Sequence, residues 1–429
     1  MSRKQWRLGV AGLGTVGSGL IDLVQARPDF SPTGSHCLVA GVSARTRSAA
    51  RPVDMSGFKW FDDPVALACS PETDIFVELI GGADGPAAAA VEAALRTGKP
   101  VVTANKALIA THGLELAIIA EAHGAPLLFE AAVMGGTPAV KLVREALVGD
   151  QIEAVAGILN GTCNYILTEM EATGRGFLEV LSEAQALGYA EADPTMDVGG
   201  FDAAHKIVIL AALAFGGAPT LSAAEIEGVD CIELLDIRLA KDLGYRIKLV
   251  ASAVRGPAGV SVRVHPALTS LDHPLARVDG VLNALFIQSS KTGRMFIQGA
   301  GAGAGPTAAA VAADIADVMA GAARPVFQRA ADSLAKFGNV SPADAMGRVY
   351  VRLLVRDEPG VIASVSETLA DAGVSIDSFL QKPAQGAGGV PIVLTTHLAR
   401  EATIARAVQA MSLLPSLIAP PRVIRISLI

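Results

Sequence analysis

Trp6-Arg-Leu-Gly-Val-Ala-Gly12-Leu-Gly14-Thr15-Val16-Gly17-Ser-Gly-Leu20-Ile-Asp-Leu23-Val24 is the stretch that decides the fold. A short apolar run from Trp6 to Ala11 ends in three glycines spaced GxGxxG. Val16, Leu20, Leu23 and Val24 then recur at helical spacing. Strand, turn and helix in that order open a βαβ unit. Gly12, Gly14 and Gly17 permit a tight turn and a close backbone approach, so a pyrophosphate can sit on the amides of the helix N-terminus, where Thr15 and Val16 stand. A glycine-rich turn without a ligand is the bland alternative, which the placement directly after a strand disfavours.

Outward from this turn, His36 to Val42, Ile75 to Ile80 and Val101 to Thr103 read as buried strands each followed by a helical stretch, and Leu127 to Glu130 as another. This alternation predicts an α/β domain with a doubly wound, mostly parallel sheet. The second strand runs into Ser43-Ala-Arg45-Thr-Arg47, with no acid to bond a ribose 2′-hydroxyl. A guanidinium there matches a 2′-phosphate, so NADP(H) is favoured and NAD(H) is the alternative, with plain solvation of Arg45 and Arg47 as the third reading. Thr103 and Lys106 stand at the carboxyl end of a buried strand, where ligands of open α/β sheets bind, although loop-end lysines are also often merely solvated.

After Pro138 longer helices take over (Ala139 to Leu147, Phe177 to Leu187, Phe201 to Phe215), followed by strands at Arg246 to Val254, Val260 to Val264, Gly280 to Gln288 and Arg294 to Gln298. This is an α+β substrate domain. The tract Gly299 to Gly305 allows Gly303 to approach the nicotinamide end of the cofactor, or acts as a hinge, and a helix from about Thr307 to Met319 can pack back on the first domain. From Arg348 the order is βαββαβ, the ferredoxin-like arrangement, with a hairpin turn at Gly386 to Gly389. The expected division is a nucleotide domain over 1–135 completed by a helix at about 305–325, a substrate and dimerisation domain over 136–304, a linker over 326–347 and a regulatory domain over 348–429.

With 429 residues the chain is too long for one ordinary core, and 51% hydrophobic against 18% charged residues argues that it folds throughout. A net charge of −7 gives no electrostatic footprint for nucleic acid. The longest apolar stretch, Ile207 to Phe215, is far short of the roughly 20 residues that span a bilayer, and the basic start Met1 to Arg7 has no cleavable apolar segment behind it. A soluble, unprocessed, cytoplasmic protein is expected, with Cys37, Cys69, Cys163 and Cys231 as buried free thiols. The 44 glycines concentrate at Gly12 to Gly17, Gly135-Gly136, Gly199-Gly200 and Gly299 to Gly305.

The densest chemistry lies in Gly188-Tyr189-Ala-Glu191-Ala-Asp193-Pro-Thr-Met-Asp197-Val-Gly-Gly-Phe-Asp202-Ala-Ala-His-Lys206. Asp202 and Lys206 stand four apart at the start of a helix whose continuation is strongly apolar, so the lysine is held at a core boundary where it can donate a proton. The acids can fix the lysine or bind a substrate ammonium. An ordinary i,i+4 ion pair with an Asp-rich turn is the alternative. Glu130 with Val133, Gly135 and Thr137 is a turn that can offer one carboxylate and several carbonyls to a hard cation, against the plainer reading of a Gly-Gly turn beside an unrelated acid.

Gly12 to Gly17, Thr103-Ala-Asn-Lys106, Asn160-Gly-Thr-Cys-Asn-Tyr165, Gly188 to Lys206, Asp236-Ile-Arg-Leu-Ala-Lys-Asp-Leu-Gly-Tyr245 and Gly301 to Asp314 together resemble the homoserine dehydrogenase family over nearly the whole chain. The tail, with Asp357-Glu-Pro-Gly360 and Gly373-Val-Ser-Ile376, is similar to an ACT domain. The resemblance implies a Rossmann-type first domain and the NAD(P)H-dependent interconversion of L-aspartate 4-semialdehyde and L-homoserine, in the branch leading to threonine, methionine and isoleucine. It implies Lys206 as proton donor, Lys106 as second active-site lysine, and Glu191 and Asp202 as substrate-binding acids. Asp197, Thr162, Tyr189 and Gly188 belong to the same pocket. Glu130, Val133, Gly135 and Thr137 match a monovalent cation site, normally sodium, and threonine is the effector implied for the ACT domain, in a homodimer or homotetramer. The segment Gln288 to Arg294 lacks the acidic Gly-Asp turn of the family, which puts its cofactor-side contact in question.

On this reading a hydride reaches the aldehyde carbon, Lys206 protonates the developing alkoxide, and Lys106 adds positive charge. Oxidation of homoserine needs Lys206 neutral, and free lysine titrates near 10.4, so that direction is expected to accelerate at alkaline pH. Another NADP-dependent oxidoreductase on the same plan, and a nonenzymatic amino-acid sensor, are the rival readings. A proton donor is superfluous in the sensor.

Overall fold

The computed structural model describes residues 5–256, 259–337, 343, 345–383 and 389–428. The first four residues, part of the expected linker and most of the expected turn at Gly386 to Gly389 lie outside the described residues. The nucleotide-domain strands are β1 (Gln5–Ala11), β2 (His36–Ser43), β3 (Lys59–Phe61), β4 (Ile75–Glu78), β5 (Val101–Thr103) and β6 (Leu127–Leu128). All pair in parallel in the order β3-β2-β1-β4-β5-β6, the doubly wound sheet expected. The order reverses between β1 and β4, which opens a crevice at their carboxyl ends. The helix Ala304–Met319 returns to this domain. Its Ala308, Val311, Ile315 and Val318 share one apolar cluster with Leu20, Ile21 and Val24 of the helix Thr15–Ala26. Burying each large side chain there contributes about 2 kcal/mol, which fixes the second domain's last residues onto the first.

The second sheet holds β7 (Ile152–Ile158), β8 (Ala224–Ile226), β9 (Tyr245–Gly256), β10 (Gly259–Ser270), β11 (Leu282–Ser289) and β12 (Gly293–Ala300). Alternation along β9 puts Leu249, Ala251 and Ala253 against the helix Phe201–Phe215, while Val250 joins Ala267 and Phe286 on the other face. That helix is buried almost all round, so its polar residues Asp202, His205 and Lys206 are embedded in the core. The expected helix Ala139 to Leu147 is instead one α-turn, Ala139–Lys141, widening into a π-helical turn, Leu142–Ala146, a form common at functional sites.

The tail strands are β13 (Met346–Val355), β14 (Ile376–Gln381), β15 (Val390–Thr396), β16 (Ala399–Arg400) and β17 (Leu417–Ile426). Their order β17-β13-β15-β14 is ferredoxin-like, with the helices Val361–Asp371 and Glu401–Met411 on one face. The sheet does not stand apart. Strand β17 pairs in parallel with β10 through Ala267 and Arg425, and through Leu268 and Ile426, so both domains share one continuous sheet. The seam is ionic. Asp236, fully buried, accepts from Tyr350 Oη at 3.0 Å and from Arg352 Nε at 2.7 Å, while Glu233 takes Arg352 and Arg422. Glu401 and Glu227 hold Arg425 on the other side of the strand junction.

Among the described residues no helix is long and apolar enough to cross a membrane. The four cysteines are free, but only Cys37 and Cys163 are buried. Cys69 and Cys231 are exposed, a correction that follows from their positions, Cys69 as the last residue of the short helix Pro64–Cys69 and Cys231 in a turn beside Asp230.

Candidate active site

The glycine turn is shaped by backbone contacts. Gly12 sits at φ +98°, and a Cβ there would lie 2.3 Å from Leu79; one on Gly17 would lie 2.0 Å from the Gly12 carbonyl. Gly14 faces open space, and the helix Thr15–Ala26 starts there with no side-chain cap, so amides of its first turn, Thr15 and Val16 among them, remain available to an anion. These features fit a dinucleotide pyrophosphate. Gly12 donates to the Ser43 carbonyl at 2.9 Å, which brings the end of β2 beside the turn. Beyond it Arg45 is exposed and makes no hydrogen bond or ion pair among the described residues. Arg47 and Arg51 instead lie over the Trp60 ring, each 5.6 Å from its centre.

At the carboxyl end of β4 a buried acid, Glu78, accepts from the Ile80 and Gly81 amides and from the Thr103 hydroxyl at 2.5 Å. The Thr103 hydroxyl in turn accepts from the Asn105 amide at 2.9 Å. Thr103 therefore shapes the crevice wall with its side chain. Asn105 caps the helix Lys106–Ala122 through Leu108 and donates to the Gly82 carbonyl, which fixes where Lys106 begins that helix.

Lys106 then crosses to the second domain. Its Nζ lies 3.2 Å from Asp202 Oδ1, and Lys206 Nζ lies 2.8 Å from Asp202 Oδ2 and 2.7 Å from the Leu159 carbonyl. Asp202 and Lys206 are buried, whereas the Lys106 side chain is 38% exposed, so the cluster opens on the cleft between the domains. Burial opposes ionisation of Asp202, but Lys206 and Lys106 outweigh it and hold the carboxyl well below its ordinary range. Asp197 is pushed up, first by burial, with the Asn160 amide opposing and the Asp202 charge adding to the rise. His205 is pushed down, by burial and then by Lys106.

The rest of the expected pocket is arranged around this centre. Thr162 donates its hydroxyl to the Tyr189 carbonyl at 2.6 Å, holding the 188–193 loop, and Tyr189 packs edge-on against Tyr165. Gly188 turns that loop, with its amide on Gln185. Glu191 is exposed, and among the described residues only its carbonyl is engaged, by Gln185; the structure does not bring its carboxylate onto Lys206.

Three models of protein families match the chain: the homoserine dehydrogenase NAD-binding domain over residues 12–130, the homoserine dehydrogenase catalytic domain over 138–316, and the ACT domain over 349–412. The homoserine dehydrogenase of Pseudomonas aeruginosa is 40% identical, with 99% of each chain covered. The chain belongs to the homoserine dehydrogenase family. The homoserine dehydrogenase of Neisseria gonorrhoeae is also 40% identical, with 98% of each chain covered. A solved homoserine dehydrogenase from Thiobacillus denitrificans superposes with a TM-score of 0.91 at 39% identity, covering 99% of this chain and 98% of that one. A hyperthermophilic archaeal homoserine dehydrogenase, solved in complex with NADPH, covers 74% of this chain and 99% of its own at 27% identity and a TM-score of 0.65. The family is one of oxidoreductases, so the enzyme reading, the nucleotide-binding first domain and the ACT tail all stand, and the nonenzymatic sensor does not.

Two further regions take their meaning from a homoserine dehydrogenase. In the 130–137 turn, Glu130 Oε1 and Oε2 accept from the Val140 and Lys141 amides, and its own amide donates to Asp314 Oδ2 at 2.7 Å. The carbonyls of Val133 and Gly135, both buried, accept no hydrogen bond among the described residues, while that of Thr137 takes the Ala139 amide. Burial first, then Asp314, push Glu130 up to about 7 against those amides, and burial pushes Asp314 up to about 6 against Lys141. The segment Gln288 to Arg294 is the tip of the β11–β12 hairpin, pinned by Asp150 to the amides of Lys291 and Thr292. The length of β12 places that tip roughly 25 Å from the glycine crossing at its other end. The tip and the glycine crossing thus stand at opposite ends of β12.

The crossing itself is tightly constrained. A Cβ on Gly301 would lie 1.7 Å from Asn283 Oδ1, and Gly303 at φ +122° starts the return helix. Sequence reading missed Glu78, Asn160 and His205. An acid ending the apolar run Ile75-Phe-Val-Glu78 was the available signal for the first, and an asparagine opening a helix for the second.

Proposed function

We propose that the cleft between the two domains reduces L-aspartate 4-semialdehyde to L-homoserine, reversibly, with Lys206 as the proton donor. The observation that carries this is one buried carboxylate, Asp202, gripping two lysines from different domains at the carboxyl end of the nucleotide-binding sheet. A nicotinamide, when bound, supplies the hydride. Gly12, Gly14, Thr15, Val16 and Gly17 would hold its pyrophosphate, Gly303 its nicotinamide side, and Thr103 the strand end beneath. Lys206 delivers a proton to the oxygen that was the aldehyde carbonyl, and Lys106 stabilises charge on that oxygen before the proton arrives. Asp202 orients both ammonium groups. Glu191, Asp197, Thr162, Tyr189 and Gly188 form the substrate side, with Glu191 closing on the substrate amino group.

NADP(H) is the preferred cofactor, NAD(H) the lesser one. Arg45, exposed just beyond β2 with no hydrogen bond or ion pair among the described residues, supports that preference, as does the NADPH held by the archaeal relative. A sodium ion fits the 130–137 turn, because the buried Val133 and Gly135 carbonyls accept no hydrogen bond among the described residues and Glu130 can add a carboxylate oxygen beside Thr137. The units over 1–135 with the return helix, 136–304, the linker over 326–347 and 348–429 divide cofactor, substrate and regulatory roles, with threonine as the effector of the last. A cytoplasmic homodimer or homotetramer is the working form. The cleft along β9, β10 and β11, floored by the buried Val250 and Phe286 with Gln288 and Arg294 more accessible along it, is a surface for a second copy. Oxidation of NADPH with aspartate semialdehyde, followed spectrophotometrically with and without threonine, tests the reading. Turnover slowed by threonine is the expected result, and absence of turnover would defeat it.

A further inference from the structure

Asn160, buried at the end of the segment that follows β7, makes three hydrogen bonds with its side chain. Its amide nitrogen donates to Asp197 Oδ1 at 2.8 Å and to Asp202 Oδ2 at 2.9 Å, and its oxygen accepts from the Cys163 amide at 2.7 Å. The last bond caps the helix Gly161–Thr173, so the residue is anchored from behind while both of its hydrogens are aimed at carboxylates. The bond to Asp197 is the only hydrogen bond that side chain makes among the described residues. The preceding carbonyl, of Leu159, accepts from Lys206 at 2.7 Å. Two consecutive residues therefore hold the Lys206–Asp202 pair at both ends.

A neutral amide can bond two acids at once without adding charge, which neither lysine can do. We propose that Asn160 is a positioning residue of the reaction, whose amide fixes the Asp202 carboxylate that aims Lys206 and ties the Asp197 segment to it. The inference rests on the reading of Lys206 as proton donor. The charged and titratable groups around that lysine are Asp202 and His205 on its own helix, Lys106, Asp197 and Cys163. Without the amide, the two carboxylates repel across a buried gap and Asp202 can turn away from the ammonium.

The test separates the amide from the cap. Asn160→Asp keeps an oxygen on the Cys163 amide, since Asp caps a helix as well as Asn, but removes both donors and brings a third carboxylate into the cluster. Its kcat should fall by about 30-fold in both directions while KM for NADPH stays within about twofold. The alkaline rise of homoserine oxidation should move up by about one pH unit, because an added carboxylate favours the ammonium form of Lys206. Asn160→Ser, which also caps but carries no charge, should lose kcat without that upward move, and it decides the matter if the aspartate variant does not fold. Lys206→Met is measured beside them. Near-normal turnover in Lys206→Met would overturn the proton-donor reading and this inference with it. An inactive Lys206→Met beside folded Asn160 variants with unchanged kcat and pH profile would overturn the positioning role alone.

Discussion

Two buried aspartates make opposite use of the same device. Asp202 in the cleft and Asp236 at the seam with the ACT domain each gather several side-chain donors around one carboxylate. Around Asp202 the donors are two ammonium groups, one of them 38% exposed to the cleft, and the Asn160 amide; around Asp236 they are a guanidinium and a phenol, both closed off. A lysine can give up its proton within reach of ordinary pH and an arginine cannot, and burial with Asp236 pushes the Tyr350 phenol further from titrating. The first cluster can pass a proton and the second can only hold two domains together. Chemistry is thus placed where the buried pair is titratable and open, and docking where it is fixed and sealed.

The strongest way to break the comparison is to exchange the cation. Lys206→Arg keeps the charge but cannot release a proton, so turnover should fall by about a thousandfold or more, as should that of Lys206→Met, with NADPH affinity measured by fluorescence titration unchanged. Activity in Lys206→Arg near that of the parent would make the lysine a mere counterion. The next largest effect belongs to the seam. Asp236→Asn leaves Arg352 buried with only Glu233, which should cost about 3 kcal/mol and lower the melting temperature, while turnover per folded molecule without effector is kept. Pairing Asp236→Leu with Arg352→Met should recover much of that stability, because no charge is then left buried alone.

Smaller effects sharpen the cofactor and cation sides of the cleft. Arg45→Asp should weaken NADPH by about tenfold in a titration and leave NADH nearly unchanged, and equal losses would remove Arg45 from the 2′-phosphate. For Glu130 the sign follows from its raised value. The folded protein takes up a proton that the unfolded chain has lost between about 4.5 and about 7, so this carboxyl makes stability fall as pH rises through that window. A cation held by the ionised carboxylate acts in the other direction, once the proton has gone. Sodium should therefore raise the melting temperature by about 1–3 °C more at pH 8 than at pH 5.5, and a bulky organic cation should do neither.

Most of the nucleotide domain was legible in the sequence because apolar strands and glycine spacing are local signals. The order around β1 and β4, and the return helix, follow from them. Lys106 and the Asp202–Lys206 pair were legible singly, but not that one carboxylate serves both lysines, since 96 residues separate Lys106 from Asp202. Asn160 was hidden for the same reason, and Glu78 because its work is to hold other residues. The continuous sheet across β10 and β17 could not be read from local pattern, as pairing of residues 158 apart in the chain leaves no periodic trace. Glu191 is the reverse case, named by a motif yet exposed in the folded chain, where its proposed contact needs the substrate itself.

The pH dependence of homoserine oxidation, followed with the hydride step rate-limiting, tests the central claim most directly. A proton-accepting Lys206 predicts a rate that climbs steadily from neutral toward alkaline pH, and a climb abolished in Lys206→Arg. A flat profile from neutrality to strong alkalinity would contradict it.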